Sequence, residues 1–166
     1  MAPEFEIVRL NNLSGTETTI YSIRLLNDNS TIFENFILEN RNEFKSEIKD
    51  IINRLDVIGK KTGAREYYFK LNEGNPGDGV AALYDRPKNK LRLYCIRYGM
   101  NLVIAGGGGP KPENIVALQD DEKLKKENYL LREVSRKIRE RTSTGEICFI
   151  NEGKEFTGNT LFTDED

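Results

Sequence analysis

Residues 80–112 read VAALYDRPKNKLRLYCIRYGMNLVIAGGGGPKP, and the alternation within them decides the fold class. Three runs of strand-forming residues, 80–85, 90–98 and 102–105, are separated by Arg86-Pro87-Lys88-Asn89 and Gly99-Met100-Asn101, connectors of hairpin length. An antiparallel meander is therefore predicted, closed by a glycine-rich turn at Gly106, Gly107, Gly108 and Gly109. In the middle run Leu91, Leu93, Cys95 and Arg97 share one face, and Lys90, Arg92, Tyr94 and Ile96 the other. With the leucines assigned to the core, Arg92 and Tyr94 are expected to look outward.

Working outward from the meander, residues 5–10 alternate and residues 18–26 are rich in β-branched side chains, with Asn11, Asn12, Ser14 and Gly15 between them. That pattern predicts an N-terminal hairpin. A short helix capped by Ser30 should carry Phe33, Phe36 and Ile37. A second, over 42–58, places Phe44, Ile48, Ile51, Ile52, Leu55 and Ile58 on one face and stops at Gly59. Residues 62–72 suit a strand and a helical turn equally, and 73–79, with Gly74, Pro76, Gly77 and Gly79, form a loop. A long helix opened by Asp120, Asp121 and Glu122 is predicted to about Arg141, its apolar stripe being Leu124, Leu131, Val134 and Ile138. A strand over 146–150, a small hairpin and a frayed acidic end, 164–166, complete the chain. The fold class is α+β.

The 166 residues, 37% apolar and 31% charged, are enough for one sizeable core and contain no apolar run of membrane-spanning length. Glu4 and Glu6 stand where a signal peptide carries positive charge, so a cytoplasmic protein is expected. Cys95 and Cys148 each sit inside an apolar run and read as reduced core residues. Histidine is absent, which removes Ser-His-Asp, Cys-His and histidine-ligated zinc chemistry. No metal and no cofactor are expected. The glycine run followed by Lys111 fails the G-x-x-x-x-G-K-[ST] spacing of a nucleotide-binding loop.

Charge is distributed unevenly. From Arg86 to Lys111 the chain carries six cationic residues, Arg86, Lys88, Lys90, Arg92, Arg97 and Lys111, and no carboxylate; with a net charge of −2 overall, the rest stands at −8. Such a patch attracts phosphate even on a mildly acidic protein. An arginine beside a tyrosine, Arg92 and Tyr94, matches single-stranded RNA recognition, guanidinium to phosphate and ring to base. The competing reading is that these cations solvate an exposed face or pair with acidic residues of a neighbouring helix. Gly108 and Gly109, ahead of Lys111, either let backbone amides approach a phosphate or serve close packing at the end of a buried strand. Arg65, Tyr67, Tyr68 and Lys70 form a second aromatic and basic group.

The run Ile51-Ile52-Asn53-Arg54-Leu55 with Gly59, then Leu91-Arg92-Leu93-Tyr94, Leu102-Val103-Ile104 and Gly109-Pro110-Lys111-Pro112 before a helix, resembles the RelE/ParE toxin superfamily, nearest to its HigB-like and related phage members. The resemblance covers roughly residues 44–140. It implies a RelE-like domain over 1–150 with an extra N-terminal hairpin, and a partly ordered extension over 151–166. It also implies a cognate antitoxin, expected to be a helix-turn-helix protein, and cleavage of messenger RNA on the ribosome. By position it assigns Arg92 and Lys111 to the phosphate. Lys90 or Tyr94 would then move the proton as the ribose 2′-OH attacks its own 3′-phosphate, with neighbouring cations lowering a pKa that starts at about 10. Arg86, Lys88, Arg97, Arg65, Tyr67, Gly108 and Gly109 would contact the strand. Two departures stand out: Ala81, Ala82 and Leu83 replace the lysines of RelE-type enzymes, and the HigB-type catalytic histidine is missing. The alternative within the family is a non-catalytic protein that inhibits a protein target such as gyrase, or an inactive toxin homologue. Outside it stands a structural protein with no nucleic-acid role.

Overall fold

The structure, a computed structural model, describes residues 3–112 and 121–163; the expected acidic residues Asp120 and 164–166 lie outside them. Strands β1 (Phe5–Arg9) and β2 (Thr19–Leu25) form the predicted hairpin, Phe5 opposite Leu25. Helix α1 (Ile32–Asn40) begins at Thr31 rather than Ser30, because Thr31 Oγ1 accepts from the Glu34 amide while the Glu34 carboxylate accepts from the Thr31 amide. Helix α2 (Lys45–Val57) continues through a π-turn, Ile58–Thr62, and stops at Gly63, whose φ of 78° is left-handed. Gly59 serves packing instead, since a Cβ there would lie 2.1 Å from the Leu13 carbonyl oxygen; its bare backbone lets the β1–β2 loop close on the helix. The stretch that suited both strand and helix contains both, a 3₁₀ turn, Glu66–Tyr68, then β3 (Phe69–Lys70).

The meander follows as β4 (Val80–Leu83), β5 (Leu91–Tyr98) and β6 (Leu102–Pro110), antiparallel throughout. Helix α3 (Glu122–Thr144) is capped by the Asp121 carboxylate, which accepts from the Leu124 amide at 2.8 Å. Gly145, φ 81°, ends it. A separate hairpin of β7 (Ile147–Ile150) and β8 (Glu155–Gly158) precedes β9 (Leu161–Phe162). Among the described residues the main sheet has the order β3-β4-β5-β6-β2-β1-β9, and only β2 and β6 run parallel. The N-terminal hairpin is therefore part of the sheet rather than an addition to it, with Thr19, Ile20 and Tyr21 paired to Leu102, Val103 and Ile104. The chain end is stitched to the opposite edge, where Phe162 stacks on Phe5 at 4.3 Å and the Arg141 guanidinium covers the Phe162 ring.

Both faces of this sheet are covered. Leu91, Leu93 and Cys95 pack with Phe33, Phe36, Ile48, Ile51 and Leu55 of α1 and α2; Ala82, Tyr94 and Ile96 pack with Leu124, Leu131, Val134 and Ile138 of α3. This corrects the expectation that Arg92 and Tyr94 look outward: they are 9% and 7% exposed. A face read as solvent from β5 alone is roofed by a helix that starts some thirty residues later. Cys95 is in the core, its thiol pushed up to about 12 by burial, whereas Cys148 is exposed on β7, contrary to its apolar setting in the sequence.

The glycine run is likewise not a turn. Gly106, Gly107, Gly108 and Gly109 are buried residues of β6, with Gly108 opposite Leu93 and Gly109 opposite Arg92. A Cβ on Gly106 would meet Leu131 Cδ1 at 2.5 Å, one on Gly107 the Glu127 carboxylate at 2.3 Å, and one on Gly108 the Arg92 carbonyl oxygen at 1.8 Å. The run is what lets α3 lie against β6 and lets β5 bulge between Leu93 and Cys95. Replacing Gly108 by alanine should cost about 1–3 kcal/mol through overpacking against the neighbouring strand. Urea unfolding checks this: the midpoint should fall while the slope stays unchanged.

Candidate functional site: an aromatic and cationic shelf beside a buried ion cluster

The cations of β5 and of the segment after β6 meet one carboxylate that lies a single residue outside the carboxylate-free stretch. Asp85, 3% exposed, receives Arg92 through Nε at 3.1 Å and Nη2 at 3.4 Å, Lys111 through Nζ at 3.3 Å, and the ammonium of Lys70 from β3. Glu73 adds a second carboxylate 3.6 Å from Arg92 Nη1. Burial by itself would raise the Asp85 pKa; the hydrogen bonds from Arg92 and Lys70 and the charge of Lys111 outweigh it and hold the carboxyl below its usual value. Burial also opposes the Arg92 charge, and Asp85 more than restores it. The Tyr94 phenol goes the other way from a proton shuttle, since burial raises its pKa against the pull of Arg92.

Asp85 reaches this cluster because the alternation slips where β4 ends. Ala81 and Leu83 face α2, and Tyr84 stays on that side, held by its amide donating to Tyr68 O at 2.6 Å and by Arg54 donating to its carbonyl. Asp85 then turns to the opposite face, and Arg86 returns. On the α2 side, Arg54, Tyr67, Tyr68, Tyr84, Arg86, Asn89 and Asp50 line an open cleft of about 400 Å³. Tyr67 is 67% exposed and Tyr84 47%; the Tyr67 and Tyr68 rings lie 4.7 Å apart, tilted by 44°. Lys70 sits 5.7 Å from the Tyr84 ring centre, joining the shelf to the ion cluster. Lys88 and Lys90, on either side of the lining residue Asn89 in the chain, are exposed, and Arg65 lies near Tyr67; within the cleft Arg54 is paired with Asp50 at 3.0 Å.

The residues expected to act together are thus divided. Arg92, Lys111 and Tyr94 belong to the buried cluster, while Tyr67 and Arg86 line the shelf, with Lys88 and Arg65 exposed beside it. Lys90 is exposed, its amide bound by the Glu47 carboxylate at 2.9 Å. Arg97 is elsewhere, donating from Nε to Ala64 O at 2.8 Å beside the 71–79 loop. Gly108 is bare because a Cβ would strike the Arg92 carbonyl oxygen, whereas one on Gly109 would meet only the Lys123 side chain at 3.4 Å. Asp85, Arg54, Tyr84 and Asn89 belong to the site although their local sequence does not mark them. Asp85 and Tyr84 look like strand residues, and Arg54 like one more charge on an amphipathic helix. No family model, no curated protein and no solved structure matches the chain.

Because the folded-state pKa of Asp85 is depressed, its contribution to stability is present above its ordinary value of 3.8 and is lost as pH falls through the folded value. Removing the carboxylate strands a buried guanidinium, so Asp85→Asn should cost about 3–5 kcal/mol at neutral pH. Unfolding midpoints measured for both proteins across acid pH should converge below 3.8.

Proposed function

We propose that the protein binds single-stranded RNA on the tyrosine–arginine shelf and does so without cleaving it, as a non-catalytic member of the RelE/ParE type. One observation carries the reading: Tyr67, Tyr68 and Tyr84 converge with Arg54 and Arg86 on a single open cleft. Exposed rings offer faces on which unpaired bases stack, and the Arg86 guanidinium meets the phosphate between them, Arg54 being paired with Asp50 at 3.0 Å. The cleft volume of about 400 Å³ is of small-ligand size and suits one splayed nucleotide better than a duplex. The exposed cations Lys88, Lys90 and Arg65 supply the sequence-independent attraction.

The ion cluster supports binding without cleavage. A cyclising attack by a 2′-OH needs free cations on the phosphate and a group able to take a proton. Arg92 and Lys111 are both engaged by Asp85, and the Tyr94 phenol is held protonated by burial. A second reading, the RNA-cleaving toxin of a type II toxin–antitoxin pair acting at the ribosome, is favoured by the order of elements, since a helical pair precedes a three-stranded meander with Arg92 on its middle strand and a helix after Lys111.

Fluorescence anisotropy with a labelled single-stranded RNA tests the first reading. Tyr67→Ala and Tyr84→Ala should each weaken binding by about 1–3 kcal/mol, and Arg86→Ala should lower the slope of log K against log salt by about 0.7. Affinity untouched by all three substitutions rejects the shelf. Inducible expression, with growth and transcript integrity followed together, separates the two readings. The binding reading expects intact transcripts, whereas cleavage that disappears in Arg92→Ala with Lys111→Ala establishes the toxin.

A further inference from the structure

We infer that Asp85 is the positioning residue of the shelf, its buried carboxylate holding Tyr84 and Arg86 in place without touching RNA; this rests on the RNA-binding reading for its functional meaning. Tyr84, Asp85 and Arg86 are consecutive, and they diverge: the first and third line the cleft, while the second is buried on the other side of the sheet. The segment has left the β4 ladder at Leu83 and does not enter β5 until Leu91. Its position therefore depends on other contacts.

Asp85 supplies the densest of these. Its two oxygens gather Lys70 from β3, Arg92 from β5 and Lys111 from just beyond β6, so one side chain ties the segment to three separate parts of the sheet. Lys111 also donates to Arg86 O at 3.2 Å, and Lys70, while paired to Asp85, lies by the Tyr84 ring. Two of the cations beside the shelf residues, Lys70 and Lys111, are thus themselves oriented by Asp85, while Arg54, which donates to the Tyr84 carbonyl, is paired with Asp50. The connector has other contacts at its two ends. At the near end the Tyr84 amide donates to Tyr68 O at 2.6 Å and Arg54 to the Tyr84 carbonyl. At the far end the Asn89 amide donates to Arg86 O at 2.9 Å, the Glu47 carboxylate accepts from the Lys90 and Leu91 amides, and the Lys111 amide donates to Lys90 O. Asp85 and Lys111 are what hold the stretch between.

Positioning and simple charge make opposite demands on one substitution. A carboxylate near an RNA site repels phosphate, so if Asp85 acted only as a charge, removing it would tighten binding. If it positions Tyr84 and Arg86, removing it disorders one stacking ring and one phosphate contact, and binding weakens although the surface has become more positive.

The test compares wild type with Asp85→Asn and Asp85→Glu, using anisotropy of a fluorescein-labelled oligouridine and hydrogen exchange of the backbone amides. Asp85→Asn should bind roughly tenfold more weakly, and amides of residues 84–90 should lose more protection than those of α3, which fall only with the global stability. Asp85→Glu retains the charge and displaces it by one methylene, so it carries the test should Asp85→Asn not fold; it should show a smaller loss with the same local exchange. Unchanged or tighter binding in these variants, with exchange of 84–90 as in wild type, overturns the proposal. Should the wild-type protein not bind the oligouridine at all, the RNA reading falls by itself. The exchange of residues 84–90 then still decides whether Asp85 holds the segment.

Discussion

Every charged or polar group on the central strands of this protein answers to one constraint, the burial of the sheet on both faces. A strand covered on one side sorts its residues into an inner and an outer set, and charge on the outer set needs no partner. Here α1 and α2 cover one side and α3 the other, so the second set of β5 is also interior. A guanidinium there is tolerable only with a carboxylate in hydrogen-bond contact. Asp85 is that carboxylate, and its placement dictates the path of the connector in which it sits.

The same constraint explains the glycines. A helix can approach a strand closely only where the strand presents no side chains, and Gly106, Gly107 and Gly109 of β6 lie beneath Leu131, Glu127 and Lys123 of α3, while Gly108 makes room for the Arg92 backbone of β5. Close approach draws α3 down onto Tyr94, and Asn128 of the helix in turn donates to Glu73 O at 2.9 Å, holding the 71–79 loop over the cluster. Packing, loop and ion cluster are one assembly. The parallel pairing of β2 with β6 extends it, bringing the N-terminal hairpin beside the meander, and the Phe5–Phe162 stack closes the opposite edge.

The proposed binding site is then displaced from where charge counting puts it. Of the cations between Arg86 and Lys111, Arg92 and Lys111 are committed to internal balance, while those on the β4–β5 connector remain in solvent beside three tyrosines. A patch of uniform charge in one dimension divides in three dimensions into a structural half and a half available to a polyanion. The division runs through a single tripeptide, Tyr84-Asp85-Arg86.

Local pattern determined a good deal of this. Alternation and hairpin-length connectors specify the meander, spacings of three and four specify α2 and α3, and β-branched runs specify the first hairpin, because each depends on residues close in sequence. The basic character of the 86–90 connector is legible for the same reason, but spacing does not say which side Tyr67 and Tyr68 face. What only the tertiary structure decided is the environment of each face: that α3 covers Arg92 and Tyr94, that the glycines continue a strand instead of turning, and that Asp85 sits among three cations. Those outcomes are set by contacts between segments many residues apart, and no periodicity within one strand records which helix will pack upon it.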